Sequence, residues 1–241
     1  MKKILLGIAS TALLSFFVLL PTGCSQKYDR EKVISQYTDN ALFKTIMDFE
    51  EKSETNDSLN EKDYEEHAKN CMFFTNDSSM LDATLMMSDL TKKAHKKYPK
   101  NALILACHAA VIGIGARDDT NVTNQLNFAD ECNALLDKAV SMDPENDFIR
   151  ITRGHASFEM PDFFNRGDIA REDYDFLIKC YEDKSCKISD MAIAEIYFNR
   201  AELLRREGRI DNAISYFEKA GTLSTEPDFS QKSREAADKI R

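Results

Sequence analysis

The chain has no tryptophan, and only eight glycines and five prolines in 241 residues. So few turn formers argue against architectures built from many short strands and hairpins and for long helices. Motifs for chemistry are missing too. No glycine-rich phosphate loop, G-x-S-x-G or H-E-x-x-H is present, so nucleotide, serine-hydrolase and zinc-protease activities have nothing to rest on. There is no CxxC, which removes the basis for a thioredoxin-like centre or a Cys-rich zinc site. Only four histidines occur. His67 and Cys71 are four apart, a usable two-ligand spacing, but no second pair completes a metal site, and a surface histidine beside a buried thiol is expected. Cys107 and His108 are adjacent and so point to different faces of a helix, unsuited to a nucleophile and its base. An enzyme is therefore not expected, nor a cofactor or metal. Excess positive charge is lacking as well: 32 basic against 41 acidic residues give −9, which disfavours nucleic acid and direct adhesion to anionic lipid headgroups.

What is present begins at the first residue. Lys2 and Lys3 precede an uncharged run from Ile4 to Leu20, followed by Pro21-Thr22-Gly23-Cys24 and an abrupt polar turn. A basic start, a short apolar centre and a small residue before the break describe a secretory signal peptide. The 17-residue run, containing Gly7, Ser10, Thr11 and Ser15, is marginal for a ~30 Å hydrocarbon core, so a retained membrane helix is not expected. Leu20-Pro-Thr-Gly-Cys24 resembles the bacterial lipobox, although Pro21 stands where that family usually has a small or aliphatic residue. The resemblance implies acylation of Cys24, which becomes the first residue of a lipoprotein held on a membrane by palmitate-like chains. Ser25, in place of Asp, implies an outer-membrane destination within the cell envelope.

The expected organisation is a signal peptide over 1–23, a lipidated tether over 24–30, an N-terminal helix and linker over 31–60, and a helical domain over 61–241. Val33, Ile34, Tyr37, Ala41, Leu42, Thr45, Ile46 and Phe49 recur at three and four places and predict the N-terminal helix. Lys92, Lys93, Lys96, Lys97 and Lys100, like Arg205, Arg206 and Arg209, fall in the last turns of predicted helices, where cations complement the helix dipole. Export places the cysteines in an oxidising compartment. Cys180 and Cys186 flank the polar stretch 181–185, where a helix must end and the backbone can turn back, and are the best disulfide pair.

From Glu61 to Arg241 nearly every stretch reads as an amphipathic helix, and the helix ends recur. Ala94 leads to Pro99-Lys-Asn101, Ala139 to Pro144-Glu-Asn146, and Ala220 more loosely to Pro227. Spacings of this order with paired helices are those of helical solenoids. Tyr197, Ala201, Leu204, Gly208, Ala213, Phe217 and Ala220 fall at the spacings of the tetratricopeptide repeat, which the chain resembles over roughly 61–227. The resemblance implies an irregular all-α solenoid of three to four helix pairs with an extra N-terminal helix, its last full pair near Met191–Gly208 and Asp211–Leu223. Ala109 and Gly154 then stand where Ala201 does, and Cys132 and Ala170 where Ala213 does. The template needs about fourteen extra residues around Gly113–Gln125 and about four at 160–164.

Asn101 to Ala116 is uncharged and apolar on all sides, so it must be buried on all sides. The expectation is that the N-terminal helix or the insertion after Gly113 fills the groove beside it. The repeat family lines its groove with the first helix of each pair. Carried over, the lining is Phe148, Ile151, His155, Phe158 and Glu159 from one pair, and Glu195, Phe198, Glu202, Arg205 and Arg206 from the next. Aromatics among charges suit a protein or peptide partner. In the turn Pro161-Asp-Phe163-Phe164, one phenylalanine is expected to plug the core, the alternative being that the pair docks a partner. The resemblances together imply a membrane-anchored scaffold for protein–protein interaction in an envelope assembly or transport system. The alternative is a periplasmic carrier of an apolar small ligand, or an accessory subunit of a transporter, with a closed cavity beside Asn101–Ala116.

Overall fold

The computed structural model describes residues 27–55 and 58–241; the signal segment and Cys24 lie outside the described residues. Among the described residues the secondary structure is helical, with no strand. Two short N-terminal helices, α1 (Arg30–Tyr37) and α2 (Ala41–Thr55), precede four antiparallel pairs. These are α3 (Glu61–Asp77) with α4 (Leu81–Lys97), α5 (Ala102–Asp118) with α6 (Val122–Met142), α7 (Asp147–Glu159) with α8 (Gly167–Glu182), and α9 (Asp190–Arg206) with α10 (Ile210–Leu223). A last helix, α11 (Pro227–Ile240), packs on α10. The fold is thus a helical-hairpin solenoid. Its first helices pack on one another in the order α3, α5, α7, and each second helix backs its own pair.

The recurring Ala…Pro-x-Asn pattern is the joint between pairs. At the end of α4 the Tyr98 N–H donates to the Ala94 carbonyl at 3.0 Å, and at the end of α6 Asp143 N–H donates to Ala139 at 3.1 Å. The proline that follows at once, Pro99 or Pro144, has no N–H to continue the ladder and ends the helix. Asn101 and Asn146 then cap α5 and α7, accepting from the backbone N–H of Ile104 at 2.9 Å and Ile149 at 3.2 Å. The third copy works likewise: Ser224 N–H donates to Ala220 at 3.1 Å, and Pro227 opens α11. Within the last pair, Gly208 takes φ +75° just past α9, the left-handed position that favours glycine, and Arg209 N–H reaches back to the Leu204 carbonyl at 2.9 Å.

Small residues set the approach of the helices. Ala201 and Ala213 are fully buried, and Tyr197 and Phe217 fill the space on either side, with Phe217 5.1 Å from Phe198 and Tyr197 5.4 Å from Tyr216. In the second pair, a Cβ added at Gly113 would lie 2.6 Å from the Cys132 sulfur. Gly113→Ala gains up to about 1 kcal/mol of helix propensity. The overlap, in a core that cannot yield, costs about 1–3 kcal/mol. Urea titration is expected to show a net loss for Gly113→Ala that shrinks when Cys132→Ala is added, since the two sites are in contact and should not be additive.

Three expectations are corrected. The N-terminal helix is two helices, because Asn40 accepts from the Phe43 N–H at 2.9 Å and starts a second helix in a new direction. The extra residues around Gly113–Gln125 form no long turn. They lengthen α5 and α6, which meet across Asp119–Asn121, where Asn121 caps α6. The N-terminal segment does cover part of α5, as expected: Val111 lies in the cluster of Val33, Phe43 and Ile46, and Phe49 packs with Ile104 and Cys107. The neighbouring first helices α3 and α7 also close over α5, with Lys69 of α3 reaching 5.2 Å from the Phe148 ring of α7 and Phe148 packing into the cluster of Tyr64, Ile104 and Cys107. Finally, Phe163 is not in the core: it is 66% exposed in a short 3-10 turn (Asp162–Phe164), its ring 4.5 Å from that of the half-buried Phe164.

Candidate functional site

The candidate partner surface runs along α7 and α9. Its frame is a buried ion network that the sequence reading missed. Asp173 of α8 is wholly buried and accepts from two arginines of α7: Arg150 Nη1 at 2.8 Å, and Arg153 through Nε at 2.7 Å and Nη2 at 2.8 Å. Arg153 also meets Asp137 of α6 at 3.3 Å, and Arg166, in the turn before α8, donates to both Asp137 oxygens at 2.8 Å. Burial works against the charge on Asp137, but the two guanidiniums prevail and hold its carboxyl below its usual range. The same contest runs the other way at Arg153: desolvation opposes the cation, Asp173 prevails, and its pKa is raised. Three helices and the turn bearing Phe163 are fastened at one point. Arginines at i and i+3 on α7, and an aspartate on the apolar Ala170/Tyr174/Leu177 face of α8, were the available signals.

The sequence-proposed lining divides into groups. Phe158 and Arg206 come together from adjacent pairs, the guanidinium 5.1 Å from the ring centroid. They border a cleft of about 260 Å3 with Met160, Arg166, Asp168 and Leu203, and Glu159 lies exposed at its side. Ile151 is half-buried against Tyr174 and its neighbours. His155 stands 5.9 Å from the Tyr174 ring, and its buried Nε2 has no hydrogen-bond partner. Glu202 pairs with Arg205 at 2.8 Å on the exposed side of α9. Glu195 and Phe198 are instead overlain by α11. Phe198 lies 5.5 Å from Phe229, and Lys232 sits 4.6 Å above its ring. Burial, then the nearby Glu226, push the Glu195 carboxyl up. Phe198 therefore packs α11 down, while Phe158 faces an open cleft.

The groups with potential chemistry are buried in inert settings. His67 is buried, not at the surface, because α2 lies over it: Phe49 stacks on its ring at 4.2 Å and Glu50 Oε1 is 3.0 Å from Nε2. Cys71 Sγ is 3.7 Å from the same Nε2, so Glu50 and the thiol share one nitrogen and no relay is formed. Burial raises the Cys71 thiol well above its ordinary pKa and pushes Cys107 and Cys132 up to about 12, the reverse of nucleophile activation. No group of three metal-ligating residues occurs among the described residues. Cys180 and Cys186 are joined as a disulfide with Cα atoms 5.5 Å apart, in the turn after α8.

Two histidines, His108 buried and His155 half-buried with an enclosed Nε2, are expected to make the domain acid-labile. Burial pulls His108 down from 6.5 to about 4, with His95 and Lys92 adding to the shift, and burial alone pulls His155 to about 4. Below pH 6.5 the unfolded chain takes up protons that the folded chain refuses until pH falls to about 4, so stability is full above 6.5 and drains between those values. Thermal unfolding followed across that range should show the melting temperature dropping with acid, with a shallower slope in His155→Phe.

A second cleft, about 440 Å3, opens on the outer side among Tyr181, Tyr197, Lys219 and Leu223. Neither cleft is bounded by residues 101–116, so the carrier alternative gains no support from them.

With the geometry in hand, comparisons with known proteins give the class. Residues 194–225, spanning most of α9 and all of α10, match the tetratricopeptide repeat family. A thermophilic tetratricopeptide-repeat protein from Thermus thermophilus shares the fold with a TM-score of 0.58 at 13% identity, covering 86% of this chain and 95% of that one. A comparison with curated proteins gives no match. The protein has an all-α, tetratricopeptide-like fold.

Proposed function

We propose that this protein is a lipid-anchored interaction scaffold of a bacterial cell envelope, tethered through Cys24 and engaging a protein partner along α7 and α9. The observation that carries the interaction is the Phe158–Arg206 cleft, where an accessible aromatic and cations converge beside exposed Phe163. Burial of aromatics supplies affinity and flanking charges set register. The anchor rests on Lys2, Lys3, the apolar run and the Leu20–Cys24 motif. No described helix is long and apolar enough to cross a membrane; the acyl chains are assigned the attachment on the Leu20–Cys24 motif alone. Each buried methylene contributes about 0.8 kcal/mol, and several chains on one cysteine give lasting attachment.

Two experiments test the two halves. Metabolic labelling with a palmitate analogue is expected to mark the wild type and not Cys24→Ser; absence of label on the wild type would refute lipidation. Crosslinking of the native membrane is expected to capture a protein with wild type and lose it with Phe158→Ala, Arg206→Glu. Equal capture by a folded double variant would remove the cleft from the partner surface.

A further inference from the structure

We propose that the lysine-bearing end of α4, with Lys138 of α6, is the face that lies against the anionic headgroups of the membrane holding the chain's own N-terminus. This rests on the lipid anchor proposed above and adds an orientation to it. The whole chain is acidic, which argues against adhesion, but the sum conceals where the cations stand relative to the tether.

The first observation is the direction of α1. Lys32 pairs with Asp82 at 3.2 Å, while Tyr28, four residues earlier, lies beside Asp89, seven residues later on α4. The two helices therefore run antiparallel, with Val33 clamped between them in the cluster of Ala83, Met86, Met87 and Leu90. Followed backward, the chain leaves the fold towards the C-terminal end of α4.

The second observation is what stands there. Asp89, Lys92, Lys93 and Lys96 are at i, i+3, i+4 and i+7, hence on one face of α4, and all are exposed. Lys100 follows in the turn, also exposed. Burial and then the neighbouring cation Lys138 pull the His95 pKa down, while Lys92 adds to burial and His95 in lowering His108, so α6 extends the patch. The carboxylates beside it include Glu50, on Lys93 at 3.4 Å, and Asp89, while Glu61 and Glu65 are held by Asn101 next to Lys100.

The third observation is length. Cys24 precedes Lys27, the first described residue, by three positions. Extended chain covers at most ~3.6 Å per residue, so the acylated cysteine lies within ~11 Å of Lys27. From Asp89 to Lys96 is about 10 Å along the helix. The tether is thus about as long as the patch it emerges beside, and the patch is held at the bilayer surface, where headgroup attraction acts within a Debye length of ~8 Å. The second helices α4 and α6 are then turned down, and the face lined by α7 and α9 is turned towards the aqueous side, where a partner can reach it.

The test uses the full acylated protein reconstituted in vesicles of phosphatidylcholine, with or without phosphatidylglycerol. Amine-reactive labelling is read by mass spectrometry at each lysine. The expected result is several-fold protection of Lys92, Lys96, Lys100 and Lys138 on the anionic vesicles only, reversed by 1 M salt, with Lys184 and Lys239 unchanged. A Lys92→Glu, Lys96→Glu, Lys100→Glu variant, whose changes are all at exposed positions, should still float with the vesicles but lose protection at Lys138. Flotation with uniform labelling would overturn the orientation and leave the anchor standing. Failure to float would overturn both.

Discussion

Asp173→Ala is expected to destabilise the domain by about 3–5 kcal/mol, among the largest losses available to a single substitution here. Asp173 is completely buried, and its two oxygens take three donors from Arg150 and Arg153, whose side chains are only 11% and 7% exposed. Truncation leaves two guanidiniums in a site built around a carboxylate. Arg150 keeps Glu172 at 3.0 Å and Arg153 keeps Asp137 at 3.3 Å, so the loss falls short of fully orphaned charge. In a domain of this size each kcal/mol shifts the melting temperature by roughly 2–4 °C, so a fall of roughly 6–20 °C is expected by circular dichroism. A triple change, Arg150→Met, Arg153→Met, Asp173→Leu, separates interaction from desolvation. If charge burial is the main cost, the triple variant should be far more stable than Asp173→Ala alone.

The same variant bears on the partner surface. Arg153 and Arg166 share Asp137, and Arg166 is part of the cleft that Phe158 and Arg206 border. Loosening the network frees the turn carrying Arg166 and Phe163. Partner capture should then weaken at temperatures where the helices remain formed, which distinguishes a misplaced cleft from an unfolded domain.

Which parts of this were legible in the sequence follows from the range of the forces involved. Helix pairing was legible because its signals are local: Ala94, Pro99 and Asn101 end one helix and cap the next within eight residues. The last pair was placed within about two residues because Gly208, Ala201 and Ala213 each answer to backbone geometry or close approach. The extra residues of α5 and α6 misled because a length excess does not say whether a turn or a helix absorbs it. Gly113, at the start of the stretch expected to be an insertion, lies within α5, where the lack of a side chain admits the Cys132 sulfur. The Arg150–Arg153–Asp173 network was missed because its signal is weak: charges on amphipathic helices ordinarily face water, and only the packing of α8 on α7 buries these. Exposure of Phe163 was missed for the opposite reason: burial of an aromatic is the usual outcome, and the turn places this one outside. The cleft of Phe158 with Arg206 was half legible. Both residues were assigned to the groove, but that α11 covers Phe198 and leaves Phe158 open depends on the end of the solenoid, which no repeat template describes.

That end governs the second large effect. Phe217→Ala is expected to cost about 3–5 kcal/mol, since the ring is fully buried and its removal leaves a cavity among Ala201, Leu204, Ala213 and Ala237 that cannot collapse between close-packed alanines. The consequence differs in kind from that of Asp173. In a solenoid each pair contacts only its neighbours, so a defect in the last pair need not unfold the first. Phe217 touches Phe198, and Phe198 carries Phe229, so the cavity loosens α11 together with α9 and α10. Hydrogen exchange should therefore speed up over 190–240 while α3 to α6 keep their protection, and the denaturant slope should fall as the transition loses cooperativity. Asp173→Ala, acting where α6, α7 and α8 join, should instead lower protection on both sides of the joint. Uniform loss of protection in Phe217→Ala would show that the helix pairs fold as one indivisible unit, and the nearest-neighbour account of this solenoid would have to be given up.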